Sequence, residues 1–377
     1  MRDLSLCGSR IVSGPGCLEI IQKSEGKRFF IVTGRASMQP HIEKVTGWLD
    51  AAGKAWEVLF GIGGNPTTSE IEAGAAKMKA FGPDTVLAIG GGSAIDAAKV
   101  MTLLCDTPSL TIADIRAGRA PAKREHIAFI AAPSTSGTAS EVTRTAVVTF
   151  EDENLKVGLK TLAFIPDMAI LDAELTMSMP DHVMVETGMD ALTHAIESYI
   201  NKNNDDICKA ISKASVEGLI QWLPESFEHK DIDSRQHVHN FQCYVGMAFQ
   251  NSGLGMDHGI SHAFGGRFGT SHGLLNAIGL PYVMRYNSRD TQVAADFATL
   301  SEAIGCDIIE RVEALNEQFG VPKSLKAAGI PEDVFVAEYD ALLANSMKGS
   351  TARNPVPMTE AAMDLVLKSM FYGEIRF

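Results

Sequence analysis

Asp190 and His194 stand four residues apart in ETGMDALTHAIESYI, and His258 and His272 follow in NSGLGMDHGISHAFGGRFGTSHG. In a helix, positions i and i+4 share a face one turn apart, so Asp190 and His194 point at a common spot. His258 and His262 repeat that spacing. One carboxylate with two or three imidazoles is a ligand set for a divalent first-row metal, iron(II) or zinc, whereas calcium or magnesium would require more oxygens. Asp190, His194, His258 and His272 therefore read as one buried metal site. The plainer reading of an isolated Asp-x-x-x-His is a capping or surface pair. Two glycine-flanked histidine segments in one chain weigh against it.

The elements that must carry these residues fall into two halves. RFFIVTG, AWEVLFG, DTVLAIGGG and HIAFIAAP read as strands. MQPHIEKVTGWLDAAG, TTSEIEAGAAKMKAFG and SAIDAAKVMTLLC read as helices between them. Alternation of this kind predicts a parallel sheet with right-handed crossovers. TAVVTF and LKVGLK suggest a β-ribbon around the turn-like EDEN, and PDMAILDAEL is expected to close the sheet. After Pro180 long helical patterns replace the strands. The expected organisation is an α/β nucleotide-binding domain over 1–179 and an all-helical metal and substrate domain over 180–377.

Composition narrows the function. With 33 Lys+Arg against 46 Asp+Glu the net charge is −13, and no dense basic run offers a local exception, so nucleic acid is not an expected partner. No stretch approaches the ~18 uninterrupted apolar residues of a membrane span. The start MRDLSLCGSR lacks the basic and apolar regions of a secretory signal, which makes the cytoplasm the expected compartment. The six cysteines are scattered without C-x-x-C spacing and fit reduced thiols.

Two turns suit a phosphate. In DTVLAIGGGSAIDAAK, Gly90, Gly91 and Gly92 would let the backbone approach an anion, Ser93 can cap the helix, and Asp96 falls in its first turn. A branched side chain at Gly91 would occupy pyrophosphate space and resist any positive φ the turn requires. The glycines do not follow G-x-G-x-x-G, and a tight structural turn is the competing reading. PSTSGTASEVT supplies Ser134, Thr135, Ser136 and Thr138 beyond a core strand, where a nucleotide crevice would lie or where an ordinary Ser/Thr-rich loop would sit.

IGGGSAIDAAK, PSTSGTASEVT, TGMDALTHAIESY and the histidine-rich segment, in this order and spacing, resemble the iron-containing (group III) alcohol dehydrogenase family over nearly the whole chain. The resemblance implies a metal and a nicotinamide in a cleft between the two domains. It assigns Asp190, His194, His258 and His272 as metal ligands and His262 as a proton-relay or substrate-positioning group. It further implies cofactor contacts by Asn65, Gly91, Gly92, Ser93, Asp96, Thr135, Thr138 and Lys156, and a homodimer or larger homo-oligomer.

Three departures bear on specificity. Many NAD-dependent members carry an acidic residue after the first strand, which would hydrogen-bond the ribose and repel a 2′-phosphate; this chain has Gly34 and Arg35, which leans the cofactor from NAD towards NADP. Ala263 stands where many members have proline, and the segment Ser346 to Asn354 is unusual for the family. Both are expected near the substrate. The reaction read from these parts is hydride transfer between nicotinamide and a small alcohol or aldehyde polarised by Fe(II) or Zn(II), with His262 passing the hydroxyl proton outward. The rivals are a dehydroquinate-synthase-like metal and NAD lyase and a catalytically silent binding or assembly protein.

Overall fold

A computed structural model describes residues 6–34, 36–153 and 155–377. Arg35 and Asn154 of the EDEN turn thus lie outside the described residues. The chain divides into two compact units, Met1–Met179 with Asp231–Cys243, and Pro180–Lys230 with Tyr244–Phe377.

The first unit holds a six-stranded parallel sheet built from β1 (Arg10–Ser13), β2 (Arg28–Thr33), β3 (Ala55–Leu59), β4 (Thr85–Gly90), β5 (Ala128–Pro133) and, after the ribbon, β8 (Met168–Leu171), in the order β1-β8-β5-β4-β2-β3. The antiparallel ribbon is β6 (Thr145–Phe150) with β7 (Leu155–Lys160), as the sequence predicts. β8 does not close the sheet: the short β1, which periodicity did not single out, pairs beyond it from Arg10↔Met168 to Ser13↔Leu171. Its sequence RIVS has two adjacent apolar residues between polar ones, neither an alternation nor a continuous apolar run.

Strand period sorts the apolar residues between two faces. Phe30, Val32, Val86, Ala88, Phe129 and Ala131 enter one core, beneath α2 (Thr68–Phe81), α3 (Gly92–Asp106) and the short α4 (Ile112–Arg116). Phe29, Ile31, Leu87, Ile89, Ile130 and Ala132 enter the other, beneath α1 (Gln39–Ala51). Burial on both faces explains why these strands read as continuous apolar runs. α2 starts where TTSE predicts, because the Thr67 side chain accepts from Glu70 N while the Glu70 side chain accepts from Thr67 N. The strand order reverses between β2 and β4, and in open parallel sheets ligands bind beyond the carboxyl ends of the strands at such a point. Gly34 and the Gly90–Ser93 turn flank it.

Beyond β8 no strand follows among the described residues. The second unit is built on α5 (Asp181–Tyr199), which packs along α6 (Asp206–His229). A long helix of residues Ile232–Ser252 contributes to both units and leads to Met256–Phe268 and His272–Asn287, which carry the remaining histidines. Gly273 lets the last of these abut α5: a Cβ there would lie 2.2 Å from the Glu186 carbonyl oxygen, so the chain just after His272 meets α5 one turn before Asp190. No helix of the described residues is long and apolar enough to cross a membrane.

Candidate metal centre and nucleotide loop

The helices that follow α5 and α6 are numbered α7 (Ile232–Ser252), α8 (Met256–Phe268) and α9 (His272–Asn287). α5 presents Asp190 and His194 on one buried face, α8 brings His258, and α9 begins at His272. Asp190 Oδ1 lies 3.6 Å from His258 Nε2 and 3.7 Å from His272 Nε2, and Asp190 Oδ2 lies 3.8 Å from His194 Nδ1. Donor atoms of Asp190, His194 and His258 fall within 4.8 Å of one another. His272 reaches this trio through Asp190 and keeps 38% of its side chain exposed.

Four-coordinate zinc with bonds of ~2.1 Å sets its ligand atoms about 3.4 Å apart. The observed separations therefore fit a divalent ion with little adjustment, and the donor set of one carboxylate with imidazoles suits iron or zinc. Electrostatics agree. Burial opposes the charge of Asp190, but His194 beside it, with His258 and His272, holds its carboxyl well below the usual range. Burial likewise opposes a charged His258, yet Asp190 and Glu197 on either side of the ring raise its pKa to about 10, so an ion at Nε2 would displace a proton from that nitrogen. A carboxylate already ionised among imidazoles is prepared for a cation.

His262 retains solvent-exposed surface on α8 and stacks on His272 with centroids 4.9 Å apart. Its distance of 6.2 Å from the His258 ring sets it beside the centre rather than in it. The surrounding protein, then His272 and His258, disfavour its protonation. Its neighbour Ala263 is half-buried on the same helix. The segment 346–354 braces the start of α8: the Asn354 side-chain oxygen accepts from Met256 N, and Thr351 packs where a Cβ on Gly259 would lie.

Two residues of this centre were not singled out from sequence. Asn276, one turn after His272, donates from Nδ2 to Asp190 Oδ1 at 2.6 Å and lies 3.2 Å from both His258 Nε2 and His272 Nε2. Glu197, on the Asp190 face of α5, meets His258 Nδ1 at 2.7 Å. The i, i+4 spacing from His272 and the i, i+7 spacing from Asp190 were the available signals.

In the first unit, the loop after β4 and the loop after β5 converge. A Cβ on Gly92 would sit 2.6 Å from Thr138 Oγ1, and one on Gly91 would sit 3.5 Å from Thr135 Cγ2. Close approach is thus required at Gly92. Gly91 has φ −70° and is the N-cap of α3, so the turn needs no positive φ there. Ser93 is not the cap: its hydroxyl donates to the Gly64 carbonyl at 2.8 Å, tying the turn that contains Asn65 to the head of α3. No side chain caps that helix, which leaves its amino end to backbone groups alone. Asp96 accepts from Ser140 Oγ and, at 2.9 Å, from Val147 N, with Lys99 Nζ 3.6 Å away. Its carboxylate fastens α3 to the ribbon. Thr149 N donates to Pro66 O, and Lys156 is the cross-strand partner of Thr149, so the ribbon carries Lys156 to the Asn65 turn.

Residues 8–173 match the model of iron-containing alcohol dehydrogenase, and residues 184–371 match that of the Fe-containing alcohol dehydrogenase family, C-terminal. The chain belongs to the iron-containing alcohol dehydrogenase family. Family members similar to it include an NADPH-dependent butanol dehydrogenase of Clostridium saccharobutylicum, 34% identical over 96% of either chain. A lactaldehyde reductase of Escherichia coli is also 34% identical, over 87% of this chain and 88% of that one. Among solved structures, an iron-containing alcohol dehydrogenase from Thermococcus thioreducens superposes with a TM-score of 0.90 at 31% identity, covering 99% of this chain and 100% of the other.

Proposed function

We propose that the protein is a metal-dependent, NAD(P)-linked alcohol dehydrogenase or aldehyde reductase acting on small alcohols and aldehydes, and that it works in the cytoplasm as a homo-oligomer. The observation that carries this reading is the convergence of Asp190, His194 and His258 within 4.8 Å in a chain of this family. Asp190, His194, His258 and His272 would hold the ion, Fe(II) or Zn(II). When bound, the metal supplies Lewis acidity at the alcohol or carbonyl oxygen and the nicotinamide supplies a two-electron hydride acceptor or donor.

The chain's own residues do the rest. Gly91 and Gly92 leave room for the pyrophosphate, the uncapped end of α3 offers N–H groups to it, and Ser93, Thr135 and Thr138 line the approach. Asn65 and Lys156 contribute from the adjoining turn and ribbon, with Asp96 holding those elements in register. His262, beside the centre and favoured in its neutral form, takes the hydroxyl proton during oxidation and returns one during reduction. The butanol dehydrogenase and lactaldehyde reductase among the relatives support a short-chain substrate, and the NADPH dependence of the butanol dehydrogenase, with Gly34 here, supports NADP(H). The test is oxidation of NADPH and NADH by protein loaded with Fe(II) or Zn(II), over a panel of short aldehydes. Turnover that disappears on chelation is expected. Turnover indifferent to metal removal would overturn the proposal.

A further inference from the structure

We infer that Glu197 is a positioning residue of the metal centre, which fixes the imidazole of His258 so that Nε2 faces the ion. The inference rests on the reading that Asp190, His194, His258 and His272 bind metal. Glu197 lies on α5 seven residues after Asp190, and its side chain is 1% exposed. Its carboxylate takes three bonds: from His258 Nδ1 at 2.7 Å, from Asp257 N at 2.7 Å and from Gly255 N at 2.9 Å. A neutral imidazole has one N–H and one lone pair, so a carboxylate that holds the proton on Nδ1 leaves the lone pair on Nε2. That nitrogen is the one 3.6 Å from Asp190 Oδ1.

The same carboxylate caps the helix that carries the ligand. The N-cap residue of α8, Gly255, contributes no side-chain hydrogen bond, and two amides at the head of the helix find their acceptor in Glu197. Gly255 is shaped to this partner: a Cβ there would lie 2.7 Å from Glu197 Oε1. Ring orientation and helix position are thus set by one buried side chain. Met256 N is capped independently by Asn354. That separates capping of α8 from contact with His258.

The experiment is zinc(II) competition against a chromogenic chelator on the chelator-stripped full-length protein, with the thermal midpoint of the metal-free form recorded alongside. Glu197→Gln keeps the shape and can offer its amide oxygen to His258, but as a neutral acceptor, and its NH2 must then face Asp257 N. Loss of an outer partner of this kind costs about 10–100-fold in metal affinity, which is the expected result. Gly255→Ala, which displaces the carboxylate without removing it, should weaken zinc in the same direction and serves if the glutamine variant does not fold. Asn354→Ala removes the Met256 cap and the bonds of Asn354 to Asn287 and Val356 but no bond to His258; it is the control for structural loss and should lower the midpoint with less than a 3-fold loss of zinc affinity. Glu197→Gln and Gly255→Ala proteins that bind zinc as the wild type does would overturn the inference, and so would an equal loss in Asn354→Ala. A wild type that binds no zinc at all would instead remove the metal reading on which it rests.

Discussion

The metal centre is assembled from long polar side chains on buried helices, whereas the nucleotide loop is assembled from backbone and from side chains that are missing. At the centre, Asp190, His194, His258 and Glu197 are buried and each is defined by what its own atoms touch. At the loop, Gly91 and Gly92 matter through the space they leave against Thr135 and Thr138. The first kind of site fails when one donor is removed. The second fails when an atom is added. Substitutions should therefore act in opposite senses in the two regions.

The largest effect is expected at the centre. His258→Ala should remove metal and turnover together, because the ion loses a buried donor that nothing else replaces. His262→Ala should retain metal and slow turnover by about 10²-fold or more, the range expected for loss of a general acid–base group. Metal content beside steady-state rates checks both, and equal metal loss in the two variants would merge a distinction drawn from the 6.2 Å between their rings.

Addition of atoms to the loop comes next. Gly92→Val places carbon where Thr138 already stands, at 2.6 Å, so the variant should lose thermal stability as well as cofactor binding. Gly91→Ala meets only ordinary contact at 3.5 Å. It should fold with a near-native midpoint and still raise the cofactor KM, since the added methyl would fill the gap towards Thr135 through which the pyrophosphate is proposed to approach. Normal cofactor binding by Gly91→Ala would make this glycine structural only.

These contrasts also explain what sequence could and could not disclose. Continuous apolar runs and the turns that bound them revealed β2, β4, β5 and the ribbon, because local pattern and tertiary role coincide there. β1 escaped because its pairing with β8 is non-local and RIVS carries only two apolar residues with no alternation. Ser93 looked like a cap, since Ser before a helical run is one, but its hydroxyl is claimed by Gly64 from another loop. Asp190, His194 and His258 were recognisable as metal-binding types. Glu197 and Asn276 have unremarked types for a ligand site, and only the meeting of α5, α8 and α9 shows what they hold.

The first unit supplies a pH effect of intermediate size, away from the metal. His239 is buried with Nδ1 2.8 Å from Ser136 Oγ, and burial lowers its pKa to about 4 despite the nearby Asp172. Because the folded-state value is below the unfolded one of ~6.5, the unfolded chain takes up the proton first as pH falls. The stabilisation is complete above pH ~6.5 and is lost progressively as pH falls towards 4, amounting to about 3 kcal/mol at full extent. Thermal unfolding from pH 7 to pH 4 should fall more steeply for wild type than for His239→Gln. Parallel curves would place the acid sensitivity elsewhere.

The smallest expected effect, and the one that joins sequence to specificity, is at Gly34. It follows β2 at the reversal of strand order, close to the β4 turn: a Cβ on Gly90 would lie 3.7 Å from Gly34 N. With no carboxylate there to repel a 2′-phosphate, kcat/KM for NADP(H) should equal or exceed that for NAD(H), and Gly34→Asp should move the preference towards NAD(H). A unit charge pair ~4 Å apart in water is worth about 1 kcal/mol, roughly a 5-fold shift, and more where solvent is excluded. The substitution carries a steric component too, since a Cβ at this position would stand 3.0 Å from the Ile62 carbonyl oxygen. Gly34→Ala supplies the same contact without the charge. The ratio of the two cofactors' kcat/KM, compared between the Ala and Asp variants at one ionic strength, therefore isolates the electrostatic part, which added salt should diminish. An unchanged ratio between those variants would assign cofactor choice to residues other than this glycine, whatever either substitution does to the overall rate.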